Sequence, residues 1–188
     1  MIYDLQVLPN GDPDVGDVSY LTETELLQDL ESALAAHANE FKVWNLSLGS
    51  DEPCSLDEFS SFAVELDRLQ EMYNVSFVIS AGNYSRIPML SYPRTGEQLT
   101  NGRITTPADS VLGITVGSVG HHSHHPHGPK QNEPSAFSRH GAGPNYIIKP
   151  DLVHYGGCCA CDASDIKGVR SLDLTGTSEG MGTSYSAP

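Results

Sequence analysis

The 188 residues predict an α/β domain, a parallel sheet with helices on both faces. Short apolar segments alternate with amphipathic stretches in the order β-α-β-α-β. The strand segments lack the period-two polarity of half-exposed strands, as parallel strands buried on both sides do. The length supports one such core and is short for two, and no internal repeat or linker divides it.

The first strand is expected at Ile2 to Leu8, "IYDLQVL", before a Gly, Pro and Asp loop from Pro9 to Asp17. A helix follows, capped by Thr22 or Thr24. Leu26, Leu27, Leu30, Ala33 and Leu34 recur at i, i+3, i+4 spacing, and the helix runs to about Asn39. "FKVWNLSLG" is the second strand. Ser55 is expected to open a second helix, with Leu56, Phe59, Phe62, Ala63, Leu66 and Leu69 as its stripe, and "VSFVISAGN" is the third strand. Tyr84 to Asp109 reads as a loop and Val111 to Val119 as the fourth strand. After a second loop, His121 to Glu133, "SAFSRHG" and "YIIKPDLVHYGG" read as shorter strands separated by a turn. Gly168 to Ser178 then leads into the closing "GTSYSAP".

Composition narrows the partners. Ten Lys and Arg against 24 Asp and Glu give a formal charge of -14, which repels nucleic acid and anionic lipid alike. No apolar run approaches the roughly 18 residues of a membrane span. "MIYDLQVLP" has neither the basic start nor the long apolar core of a signal peptide. Cys54 stands alone, and Cys158, Cys159 and Cys161 in "CCAC" are too tightly spaced for an ordinary zinc site or disulfide framework. They read as small buried hydrophobes bearing free thiols, which favours a reducing, cytoplasmic setting.

Two segments carry chemistry. A serine hydroxyl attacks a carbonyl only when a base takes its proton and donors hold the oxyanion that forms. In Gly182-Thr183-Ser184-Tyr185-Ser186-Ala187-Pro188, small residues flank a serine at a helix start, near the positive end of a helix dipole. In Ala81-Gly82-Asn83, an amide follows a strand directly and can aim an N–H at developing negative charge. "GTS" also occurs at Gly176-Thr177-Ser178, but only the second copy continues into "xxAP".

Together, in this order, these segments resemble the subtilisin-like serine peptidases. "IYDLQVL" is similar to that family's "VKVL", "VWNLSLG" to "INMSLG", and "FVISAGN" to "VVAAAGN". "TTPADSVLGITVGSV" is similar to "YPA" and "VITVGAV", "SAFSRHGAG" to "ASFSSRGP", "IKPDLVHYGG" to "KPDLVAPG", and "GTSYSAP" to "GTSMAAP". The sedolisin-like peptidases share a motif close to "GTS" but place an aspartate where this chain has Asn83.

The resemblance implies that Ser184 is the nucleophile of a serine endopeptidase acting on polypeptides through an acyl-enzyme. It implies that Asn83 and the backbone N–H of Ser184 donate to the oxyanion, with Thr183 supporting the hole. Ser47, Leu48 and Gly49 match the edge that pairs with extended substrate and walls the primary specificity pocket, and Ser80, Ala81 and Gly82 match its other wall. Thr106-Pro107 matches a bond that is cis in the family.

The family's catalytic Asp, in "DTG" or "DSG", and His, in "HGTxVAG", precede the matched segments, and neither motif occurs here. Residues 1–188 are therefore expected to be a partial domain lacking those segments and the end of the nucleophile's helix, and inactive alone. A non-catalytic scaffold or metal-binding module on the same fold is the alternative. His37, His140 and His154 fall in segments matched to other parts of the pattern, and His154-Tyr155 replaces the family's Ala-Pro.

No cofactor is expected, although the resemblance leaves calcium open in a complete domain. His121, His122, His124, His125 and His127 crowd one loop with the chemistry to bind zinc, nickel or copper, but such loops are more often solvated. The acidic loop with Asp12, Asp14 and Asp17 falls near the family's substrate groove, where it would favour basic side chains; a solvated loop is the simpler reading.

Overall fold

The computed structural model describes residues 22–123, 128–173 and 176–188. The expected strand Ile2 to Leu8, the acidic loop with Asp12, Asp14 and Asp17, and His124, His125 and His127 lie outside them.

Helix α1 (Glu23–His37) starts as the sequence dictates. Thr22 accepts from the Glu25 N–H, and the Glu25 side chain returns a bond to the Thr22 backbone, a reciprocal cap. Its stripe buries Leu30, Ala33 and Leu34. Strand β1 (Val43–Leu46) follows, then α2 (Ser61–Tyr73) and β2 (Ser76–Ser80). Helix α2 opens at Ser60 rather than Ser55. The Ser55 hydroxyl accepts from the N–H groups of Asp57 and Glu58, closing a local turn. Ser60 accepts from Ala63 while its own N–H and hydroxyl donate to buried Asp109. Leu56 and Phe59 therefore precede the helix.

Asn74 ends α2 in the left-handed conformation, φ 50°, its N–H donating to the Gln70 backbone carbonyl, and the side-chain Oε1 of buried Gln70 accepts from the Phe77 N–H of β2 at 2.9 Å. After α3 (Gln98–Asn101), a single turn inside the expected loop, come β3 (Ile114–Val119) and β4 (Leu152–Tyr155). These four strands form one parallel sheet in the order β1-β2-β3-β4, with Trp44 opposite Phe77, Val78 opposite Ile114 and Gly117 opposite Val153. The sheet and its helices are those of an α/β fold. Of the helix layers, the described residues show α1 and α2, which pack on each other. Leu34, Leu66, Phe77 and Ile79 are fully buried between them and the sheet. Each such side chain stabilises the fold by roughly 1.5–3 kcal/mol.

Three expectations change. "SAFSRHG" is no strand; it makes only isolated bridges, Ser138 to Asn83 and His140 to Arg103, as it threads between two loops. "YIIKPDLVHYGG" yields only β4, because Pro144–Tyr146 forms a 3₁₀ turn and Pro150 has no N–H to give. Conversely, the approach to the final motif is an antiparallel hairpin, β5 (Val169–Asp173) with β6 (Gly176–Gly180). A second apolar cluster, around Met89, Phe137, Cys158 and Cys159, packs these long connections.

Candidate active site

The closing motif lies across the carboxyl ends of the sheet strands, where ligands of parallel α/β folds gather. Thr183–Tyr185 form a single 3₁₀ turn in contact with β3. At one end, the Ser47 hydroxyl, just past β1, donates to the Ser184 carbonyl at 3.4 Å. At the other, the Gly182 N–H donates to the Gly156 carbonyl at 2.9 Å, just past β4. Gly156 is buried beneath the motif, and a side chain there would collide with the Ser186 and Ser118 hydroxyls. Ser184 itself is half-buried, open to an incoming group.

Between these anchors stands Asn83, just past β2. Its Oδ1 accepts from the Thr183 N–H at 2.9 Å and from the Thr183 hydroxyl at 3.1 Å. Residues 100 positions apart are thereby locked together. With Oδ1 doubly engaged, the two Nδ2 hydrogens are the amide's remaining polar capacity. Gly182 permits the approach, since its φ of 154° is one that L side chains rarely adopt and an added Cβ would sit 3.3 Å from Asn83 Nδ2. Thr183 is fully buried, which fixes its hydroxyl on the amide.

The segments expected to wall a substrate site flank the same rim. Ser47 and Gly49 are exposed and Leu48 half-buried after β1, whereas Ser80, Ala81 and Gly82 are buried at the end of β2. The Ser80 hydroxyl donates to the Leu48 carbonyl at 3.3 Å, joining the two segments. Thr105 sits between their glycines. A Cβ on Gly49 would come within 3.1 Å of its Oγ1, and one on Gly82 would collide with it. The Thr106–Pro107 bond beside it is cis, as expected.

Arg139 was not singled out by sequence, yet it braces this rim. The side chain is buried, and Nη1 donates to the carbonyls of Asn101 and Arg103, both at 3.0 Å, while Nη2 donates to that of Asp51 at 2.6 Å. The guanidinium lies 5.7 Å from the Tyr84 ring centroid, and the Arg139 N–H donates to the Gly82 carbonyl. Three loops around Asn83 thus share one cation. A lone arginine in the otherwise small and apolar "SAFSR" is the only trace in the sequence.

The remaining candidates fall elsewhere. His37 lies in the last turn of α1, and the His140 ring nitrogens face the carbonyls of Gly141 and Gln98. His154 sits on the exposed strand β4. Among the described residues, no group of three or more His, Cys, Asp or Glu side chains could hold a metal ion. None of the described helices is long and apolar enough to cross a membrane. Cys54, Cys158 and Cys159 are buried and Cys161 half-buried, all as free thiols. Burial pushes the Cys54 and Cys159 thiols up to about 11.

The sequence model described as the subtilase family matches residues 2–188. The protein y4bN of Sinorhizobium fredii (strain NBRC 101917 / NGR234) is 30% identical over 186 aligned residues, 78% of this chain and 41% of its own length. Among solved structures, the patellamide maturation protease PatA superposes with a TM-score of 0.56 at 21% identity, covering 92% of this chain and 48% of its own. The prenylagaramide maturation protease PagA does so at 0.55 and 19%, with the same coverage. The PatG macrocyclase in complex with peptide gives 0.56 at 17%, covering 89% and 39%. The chain thus spans about two-fifths to half the length of these proteins. Taken with a parallel sheet whose carboxyl rim joins "AGN" to "GTS", the match over residues 2–188 makes this chain a member of the subtilase family.

Proposed function

We propose that this chain supplies the nucleophile and oxyanion half of a serine endopeptidase, with Ser184 as nucleophile and Asn83 as oxyanion donor. The observation that carries this reading is the pair of bonds from Thr183 to Asn83 Oδ1, which leaves Nδ2 as donor beside the residue that would attack. Ser184 Oγ adds to a peptide carbonyl, and the negative charge on the carbonyl oxygen is met by Asn83 Nδ2–H and the Ser184 backbone N–H. The C–N bond then breaks, and the proton taken from Ser184 passes to the leaving amine. Water next hydrolyses the acyl-enzyme by the same steps. Ser47 to Gly49 and Ser80 to Gly82 hold the extended substrate and wall its specificity pocket. A peptide occupant is supported by family membership and by the peptide in the PatG macrocyclase structure.

The base is proposed to be the histidine of the family's "HGT" motif, oriented by its aspartate, both in sequence preceding these residues. Residues 1–188 alone are then expected to be essentially inactive, because loss of the base costs orders of magnitude even where the oxyanion hole survives. The test uses the longer parent chain and a fluorophosphonate probe. Labelling of Ser184 that disappears in Ser184→Ala supports the reading. Labelling of another serine, or undiminished proteolysis by Ser184→Ala, overturns it.

A further inference from the structure

On the β4 side of Ser184 lies an open cleft of about 750 Å³, and the residue after the serine, Tyr185, forms part of its wall. The Tyr185 ring is laid over Gly180 of β6, where any side chain would collide with it. The wall toward the sheet carries His154 and Tyr155 at the end of β4 and His121 after β3, with the His121 and Tyr155 ring centroids 6.1 Å apart. The opposite wall, leading into the hairpin, carries Lys167, Arg170 and Glu179.

Two features say what fits there. In a chain of net charge -14, the charge here is nearer to balance: Lys167 and Arg170 stand with three histidines, against Asp165 beside Lys167 and one carboxylate in the lining itself, Glu179. That carboxylate is already engaged, one oxygen of Glu179 taking Arg170 Nε at 3.3 Å and Nη2 at 3.1 Å. Lys167 Nζ donates to the Ser123 carbonyl at 3.3 Å and lies 3.4 Å from Asp165. Both ion pairs are solvent-exposed, hence weak, and an arginine fork has five donors, so a second carboxylate can join them.

The topology says which part of a ligand arrives. Ser184 is bonded to Ser47 past β1, while the cleft lies beyond β4 at the other end of the sheet order. A peptide whose acyl portion lies along Ser47 to Gly49 must leave Ser184 toward β4. We propose that this cleft receives the leaving-group side of the substrate and selects an acidic side chain there. This rests on Ser184 being the nucleophile.

The test measures binding and turnover in the full-length protein. In Ser184→Ala, a peptide with glutamate on the leaving-group side should bind about fivefold tighter than its glutamine counterpart, the upper end for an exposed charge pair. The double variant Lys167→Gln/Arg170→Gln should bring the two peptides within about twofold, and Lys167→Arg/Arg170→Lys should keep the preference. An ester substrate with no residue beyond the scissile bond should be turned over equally by the charge-neutral variant and its parent. Equal binding of the two peptides by the parent overturns the proposal, as does a preference that survives removal of both cations. A preference that appears only with added zinc also overturns it, since the imidazoles would then be acting as ligands. Preference for glutamate without any hydrolysis sinks the nucleophile reading and leaves the acidic cleft standing.

Discussion

In the proposed reading Asn83 meets two demands, and one orientation of the side chain serves both. Its oxygen holds Thr183 through two hydrogen bonds, which leaves its amide hydrogens for the proposed oxyanion. Asn83→Leu removes both the hold and the donors. With the family's base present, kcat is expected to fall by about 10² to 10³, the cost of losing one such donor in subtilisin, with KM changing much less. Steady-state kinetics on a peptide substrate checks this, and a loss confined to KM would remove Asn83 from the oxyanion role. The two partners were legible in the sequence because each stands in a short motif, "AGN" and "GTS", whose small residues allow close approach. Arg139 was not, because its partners are backbone carbonyls of Asp51, Asn101 and Arg103, which carry no sequence signature. The cleft beside Tyr185 was hidden for a related reason: its lining comes from five separate stretches of chain.

At the scale of elements, what could be read was periodicity. Apolar runs located β1, β2 and β3, and the 3.6-residue stripe located both long helices; α1, β1, α2 and β2 each bury one side in the same cluster. Leu66 stands at the middle of the α2 stripe and is fully buried among residues of that cluster. Leu66→Ala should therefore destabilise the domain by about 2–5 kcal/mol, the usual cost of lost transfer energy plus a partly collapsed cavity. Urea denaturation followed by circular dichroism measures it, and a change below about 0.5 kcal/mol would mean that α2 is not packed as described. Boundaries and irregular segments were harder to read. Ser55 and Ser60 offer the same capping chemistry, and only Asp109, 49 residues beyond Ser60, decides between them. The hairpin escaped notice because β6 reads "GTSEG", without an apolar face to alternate.

For the molecule as a whole, two apolar clusters hold the chain, one between the helices and the sheet, the other among the long connections; the first encloses one free thiol and the second two. Cys54 lies in the first and Cys159 in the second. Both are pushed up to about 11, mainly by burial, Cys54 further by the nearby Asp109 charge and Cys159 by the neighbouring thiols of Cys158 and Cys161. A thiol whose folded pKa exceeds its unfolded value of 9.0 favours the folded state fully below pH 9. Between pH 9 and 11 the unfolded chain ionises while the native one does not, so the folded state binds more protons and stability falls. The loss is on the order of 2 kcal/mol per thiol by pH 11. Tyrosine and lysine titrate in the same range, so the comparison is between the parent and Cys54→Val or Cys159→Val. Each variant should show a shallower decline in denaturant midpoint across that window, by the share of one thiol. Parallel curves would mean that the thiols are open to water in the folded protein. At pH 8, a disulfide reagent should accordingly modify half-buried Cys161 first and Cys54, Cys158 and Cys159 only as the domain opens. If Cys54 and Cys159 then react at one common rate, the two clusters open as a single cooperative unit, which is what a rim built jointly from β1, β2, β4 and the closing motif requires.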